Sequence, residues 1–246
     1  MKIKPEDGNE TFCMAPWSHT YVSPQGERRL CCASREKSSW IKQYIDVEND
    51  DKNEDFVSTK LDDHWNSEYM KDIRKRLMAG EEIEQCQVCN HKLLNLNTYR
   101  GYFNHQLFPD KIDEAFEKTN DDGHTEMKPI SYDYRISNLC NFKCRMCGDQ
   151  LSSSWESERR QMKNWSPEGD PWMTPESRAK LQTFTKEVLE KELWQAVHEE
   201  RIEEIYWVGG EPLMFQIHWD IMEHLVKTGQ SKNVVVRYNT NLSRVS

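Results

Sequence analysis

Cysteine placement constrains this chain more than any other feature of it. Eight cysteines stand at positions 13, 31, 32, 86, 89, 140, 144 and 147 of 246 residues, a dispersed set followed by a compact triplet. The amino-terminal stretch MKIKPEDGNE lacks the apolar segment of a secretory signal, and no apolar run approaches the roughly 20 residues that span a bilayer. The expected location is cytoplasmic, where thiols stay reduced and cysteine clusters read as metal or catalytic sites before disulfides. Two separate thiolate sites are implied.

Composition says which partners to expect. Charged residues make up 30% and the mean hydropathy is −0.92, values that approach a disordered chain. The 11% of aromatics, nine Trp among them, can nevertheless supply a core. With 33 Lys+Arg against 42 Asp+Glu the net charge is −9, so no basic stripe is available to displace counterions from a phosphate backbone. Neither nucleic acid nor a membrane is an expected partner.

Periodicity and turn residues divide the chain at 1–118, a linker at 119–129 and 130–246. In the first part, Ser18 to Val22 and Arg28 to Cys32 flank Ser23-Pro24-Gln25-Gly26, a type I turn pattern that predicts a hairpin carrying Cys31 toward Cys13. DVENDDKNED at 46–55 is too polar to pack and predicts a solvated loop. Leu61, Trp65, Tyr69, Ile73 and Leu77 predict one helix over about 62–79 with Gly80 as its stop, leading to Cys86 and Cys89. A second helix is predicted from Leu93 to Phe108, and the polar run TNDDGHTEMKP supplies the linker. After it come a strand (Ile130 to Ile136), a cysteine loop, a helix (about 174–199), a strand (Ile205 to Val208), a helix (about 216–227) and a strand (Val234 to Tyr238). That alternation predicts an α/β fold with a parallel sheet.

ISNLCNFKCRMCG spaces Cys140, Cys144 and Cys147 by four and three. The spacing also suits the buried stripe of a helix, but Asn138, Asn141 and Gly148 favour a loop. Structural zinc wants four ligands. Three close thiolates with no matching fourth residue suit a four-iron cluster with one iron left open, since such a cluster normally takes four thiolates.

CNFKCRMC resembles the CxxxCxxC signature of the radical SAM superfamily, and WVGGEP after the next strand resembles that family's GGEP element. The resemblance implies a 4Fe-4S cluster on Cys140, Cys144 and Cys147. Its open iron would be chelated by S-adenosylmethionine (SAM), whose amino group Gly209, Gly210, Glu211 and Pro212 would hold. Two glycines allow close backbone approach to a ligand, and a carboxylate pairs well with an ammonium. Met146 stands where the family commonly has an aromatic residue and would pack on adenine. Asn239 and Asn241 sit where relatives present polar groups to the ribose or methionine carboxylate, although both residues equally suit a turn. No catalytic side chain is assigned beyond the cluster ligands.

Cys13, twelve residues, Gly26, four residues, then Cys31 is similar to the opening of SPASM and twitch domains, which carry an auxiliary cluster. Cys86 and Cys89 complete four thiolates, so the resemblance implies a second 4Fe-4S cluster on Cys13, Cys31, Cys86 and Cys89. Zinc stays an alternative there, and Cys32 is a packed thiol or a substitute for Cys31. With one such site, twitch is the closer label. The usual order places this domain after the barrel, whereas here it comes first.

The expected architecture is therefore a partial (β/α)6 radical SAM barrel with three βα units present, preceded by a small α+β twitch-type domain. A sheet ending on VVVRY would leave an apolar edge, so a fragment or a half needing a partner is expected, prone to self-association. The resemblance implies reductive cleavage of SAM to a 5′-deoxyadenosyl radical that abstracts hydrogen from a substrate, often a peptide or protein in SPASM relatives. A flavodoxin- or ferredoxin-like donor would supply the electron. The alternatives are a non-catalytic zinc or iron–sulfur module and an electron-transfer protein.

Overall fold

The computed structural model describes residues 2–34, 60–91 and 98–244. It divides the chain into two compact units. The first takes in 2–20, 29–34, 60–91 and 98–130, and the second 21–28 and 131–244, so the hairpin tip counts with the later part of the sequence. The predicted loop at 46–55 and the start of the predicted helix at 93 lie outside the described residues.

The first unit is mainly helical and builds its core from aromatics and methionines. Phe12 stacks on Trp17 and tilts against Phe116, each with ring centroids 5.1 Å apart, inside a cluster that includes Met70, Ile73 and Leu77. The helix predicted over 62–79 is broken: Leu61–Trp65 and Glu68–Met78 are separate, and the Ser67 hydroxyl caps the second by accepting from Met70 N at 3.3 Å. A spacing of four residues drifts by about 40° per step on a 3.6-residue helix, so five such positions cannot share one straight face. The break resets the stripe. Met70 takes the buried place and Tyr69 is left exposed. The stop is as predicted: Gly80 has φ +78°, with Gly80 N donating to Leu77 O and Glu81 N to Arg76 O, the pair that ends a helix in a left-handed turn.

Residues 119–129 pack into this core. Trp17 Nε1 donates to Thr119 Oγ1 at 2.8 Å, Trp65 Nε1 donates to Met127 O at 2.6 Å, and Met127 is buried. Polar composition concealed this because the two indole donors need oxygen acceptors once they are buried.

A five-stranded, mostly parallel sheet has the order β2-β1-β3-β4-β5. Its strands are β1 (His19–Val22), β2 (Arg28–Arg29), β3 (Ser131–Tyr134), β4 (Glu204–Trp207) and β5 (Val235–Tyr238). The three later strands fall where sequence placed them. Addition of the amino-terminal hairpin to the same sheet was not foreseen. Its turn closes as predicted, with Gly26 N donating to Ser23 O at 2.9 Å and Gly26 at φ +77°.

The β3–β4–β5 ladder pairs Tyr132 with Ile205 and Ile205 with Val236, all parallel. Strand alternation sends Tyr132, Tyr134, Ile205 and Trp207 into an apolar core with Leu193, Val197, Ile221 and Leu225 of the crossover helices. Ser131, Asp133 and Glu204 between them are polar and buried: Ser131 bonds Glu204, the half-buried Arg237 donates from Nε to Glu204 at 2.6 Å, and the half-buried Arg135 pairs with Asp133 at 3.1 Å. Burial pushes the Asp133 carboxyl up while Arg135 pulls it back. The long crossover helix runs Pro175–Phe184 and Glu190–His198 with a π-helical stretch at Thr185–Leu189 between them. Helix Gln216–Thr228 then leads to β5, an edge strand on which Val235 is exposed.

Candidate functional site

The four amino-terminal cysteines meet. Cys13, Cys31, Cys86 and Cys89 line one small cavity in the first unit, together with Arg100 and Phe103, while Cys32 does not line it. None of the eight cysteines is disulfide-bonded. Burial pushes the Cys13 thiol up to about 12, with Cys86 and then Cys89 adding repulsion and Ala15 N–H and Arg100 opposing them. Burial likewise pushes Cys31 well up, followed by the neighbouring Cys32 and Cys13. The Cys13 and Cys31 thiols thus resist ionisation, and a cation or cationic cluster removes that penalty by binding the thiolates. The donor set therefore fits a thiolate-bound group.

Local structure sets three of these cysteines. Cys86 ends the 3-10 turn Glu84–Cys86, and Cys89 lies on the short helix Gln87–Asn90, so the pair faces one point from consecutive turns. Cys13 is bracketed by one side chain that sequence reading missed. Asn104 Oδ1 accepts from Met14 N and its Nδ2 donates to Phe12 O, both at 2.8 Å. Asn104 sits on a π-helical stretch, Phe103–Leu107, an irregularity that often marks functional positions. Asn104→Ala is expected to cost about 2–3 kcal/mol by orphaning two buried backbone groups, and to loosen metal retention. Chemical denaturation and chelator-release kinetics check this; an unchanged release rate would make Asn104 irrelevant to the site.

In the second unit the triplet lies on an irregular loop, as predicted, and the helical alternative is excluded. Cys140 is buried, Cys147 half-buried and Cys144 exposed. Burial first, then Cys144 and Cys140, raises the Cys147 thiol. Cys140 Sγ accepts from Phe142 N at 3.4 Å and from Asn241 Nδ2 at 3.7 Å, so two N–H groups already point at that sulfur. The loop is stapled by Ser152-Ser153-Ser154-Trp155. Ser153 Oγ accepts from Cys140 N, Ser154 Oγ donates to Cys140 O, Ser152 Oγ donates to Phe142 O and Trp155 Nε1 donates to Cys144 O. Asn138 anchors the base by donating to Asp149 O and to the buried Glu156. The signal available in sequence was the run of three serines opening a helix, a capping pattern.

The GGEP segment packs against the root of that loop. Glu211 N donates to Leu139 O at 2.7 Å. Gly209 and Gly210 have φ +91° and +59°, and a Cβ on either would lie 2.6 Å from Arg135 Cβ or 2.3 Å from Leu139 O. Their close approach is thus to Arg135 and Leu139 of the chain itself, where sequence reading had expected a ligand. The Glu211 carboxylate is fully buried. It accepts from Leu213 N at 3.2 Å, Thr240 Oγ1 at 2.6 Å and Asn241 N at 2.7 Å, which ties the exits of β4 and β5 together. Two carboxylate oxygens offer about four acceptor sites, so capacity for one further donor is left. Pro212 opens the turn Pro212–Met214, Asn239 is exposed with its N–H on Trp207 O, and Met146 is 93% exposed.

Cys140, Glu211 and Asn241 therefore converge where β3, β4 and β5 end, the edge at which open α/β sheets take ligands. Among the described residues no three His, Cys, Asp or Glu side chains close on a point that would hold a single ion, and no helix is long and apolar enough to cross a membrane. No curated protein and no solved structure matches the chain. Two family models do: an iron–sulfur cluster-binding domain, SPASM, over residues 13–90, and a 4Fe-4S single cluster domain over residues 135–242. The first span holds all five amino-terminal cysteines and the second holds the triplet, GGEP and Asn241. Residues 13–90 are thus similar to a SPASM iron–sulfur cluster-binding domain, and residues 135–242 to a 4Fe-4S single cluster domain.

Proposed function

We propose that the chain is a radical SAM protein in which Cys140, Cys144 and Cys147 hold the SAM-binding 4Fe-4S cluster and Cys13, Cys31, Cys86 and Cys89 an auxiliary one. The observation that carries this reading is the convergence of Cys140, Glu211 and Asn241 at the ends of three adjacent parallel strands. A cluster held by Cys140, Cys144 and Cys147 would supply one electron, taken from a flavodoxin- or ferredoxin-like donor, to cleave SAM to methionine and a 5′-deoxyadenosyl radical able to take a hydrogen atom from substrate. The protein's share is placement. Phe142 N–H and the Asn241 amide point at the Cys140 sulfur, and the serine staple holds the three thiols on a short loop. Glu211 keeps one acceptor place for the SAM ammonium, and Gly209, Gly210 and Pro212 give the bend that presents it. Met146, being solvent-exposed, is available to an adenine face, and Asn239 to a ribose. A peptide or protein substrate and a cytoplasmic setting complete the reading.

The test is anaerobic reconstitution of the full chain, analysis of iron, sulfide and zinc, and assay of 5′-deoxyadenosine from SAM and dithionite. About eight iron and eight sulfide per chain with 5′-deoxyadenosine formed is the expected result. Zinc without sulfide would turn the protein into a metal-stabilised module, and clusters without any SAM response into an electron carrier.

A further inference from the structure

Arg100 is a fork with one prong left over. Its Nη1 donates to Glu10 O at 2.9 Å and its Nη2 to Asn90 Oδ1 at 2.5 Å. Its Nε is fully enclosed and has no acceptor among the described residues. The guanidinium is planar and permanently charged, so pinning the two Nη groups fixes the direction of the third donor. Arg100 belongs to the wall of the cavity that Cys13, Cys31, Cys86 and Cys89 line, and its charge is felt at Cys13. Bracing explains the two Nη contacts, since Glu10 precedes Cys13 and Asn90 follows Cys89. It leaves the buried Nε–H unexplained, and a buried donor is normally satisfied.

We infer that Arg100 Nε–H donates to a sulfur of the auxiliary cluster, a thiolate or a bridging sulfide, and that this bond together with the guanidinium charge raises the cluster's reduction potential. The inference rests on the reading that those four cysteines hold an iron–sulfur cluster. Reduction adds one electron and no proton to a cluster already anionic with its four thiolates, so a fixed positive charge and an N–H on sulfur stabilise the reduced form more than the oxidised one. Arg100 is a positioning and tuning residue; it is not a ligand.

The experiment uses the full chain with Cys144 and Cys147 both changed to Ala, which leaves one site to load and keeps Cys140, whose sulfur accepts from Phe142 N and the Asn241 amide. The midpoint potential of that cluster is then measured by EPR-monitored redox titration with Arg100 intact, as Arg100→Gln and as Arg100→Lys. Arg100→Gln is expected to load iron and sulfide normally and to shift the reduced-to-oxidised ratio at fixed ambient potential at least tenfold toward oxidised, about 59 mV for one electron. Arg100→Lys, which keeps the charge without the fixed N–H, is expected to fall between. An unchanged potential in either loaded variant overturns the assignment. Failure of both variants to load would make Arg100 a brace for the Glu10 and Asn90 segments and also overturn it. A parent lacking iron and sulfide would remove the four-cysteine reading itself, which distinguishes that failure from the failure of the Arg100 assignment.

Discussion

Cys144→Ala is expected to abolish 5′-deoxyadenosine formation while leaving the fold intact. Cys144 is the exposed member of its triplet, so trimming it to a methyl removes little packing, and substitutions at such positions usually stay within about 0.5 kcal/mol. The chemical loss is out of proportion to that. On the proposed reading, a cluster with only two thiolates left on this loop would lack a required ligand, and iron and sulfide should fall by about half, to the four of each that the amino-terminal site would retain. Activity should drop by well over a hundredfold, beyond the ten- to hundredfold typical when a residue merely supports a ligand. Cys140→Ala is a poorer test, because Phe142 N–H and the Asn241 amide both lose their acceptor and folding suffers with chemistry. Unchanged denaturation beside full retention of 5′-deoxyadenosine in Cys144→Ala would remove the triplet from the reaction.

The second large effect is on stability. Gly210→Ala places a Cβ 2.3 Å from Leu139 O and 2.9 Å from Leu139 C, at φ +59°. The obstruction is backbone, so no side-chain rotation relieves it. The change must also displace the 2.7 Å hydrogen bond from Glu211 N to Leu139 O. Backbone strain of about 1–3 kcal/mol and an unmade buried hydrogen bond of similar size give an expected loss of about 3–5 kcal/mol in the second unit. Gly229 provides the control: it caps helix Gln216–Thr228 at φ +79°, but nothing lies within 4 Å of the Cβ it would gain. Gly229→Ala should cost only about 1 kcal/mol, the strain alone. Equal losses for the two variants in denaturant titrations would show that the GGEP bend is not pressed against the cysteine loop.

Local rules made much of this architecture legible. Strand and helix periods located β3, β4, β5 and the two crossover helices, since each buries a regular face against its neighbours. The motif positions Cys140, Glu211 and Asn241 were legible too, because they follow the carboxyl ends of those strands. What stayed hidden was carried by single polar bonds between distant residues. Asn104 reaches Met14 across 90 positions and Asn241 reaches Cys140 across 101, and neither has a local pattern to announce it. The helix predicted over 62–79 failed for a different reason: a repeat of four drifts around a helix, and Ser67 supplies the cap that restarts it. The 119–129 stretch was misjudged because Thr119 and Met127 serve as acceptors for buried indoles, a role that composition does not reveal.

Titrating SAM into the oxygen-free, reconstituted and reduced full chain, and following the EPR signal of the cluster on Cys140, Cys144 and Cys147, tests the central claim most directly. A saturable change in that signal, absent from Cys144→Ala, is the expected result. A protein with its full complement of iron and sulfide whose signal is indifferent to SAM would contradict it.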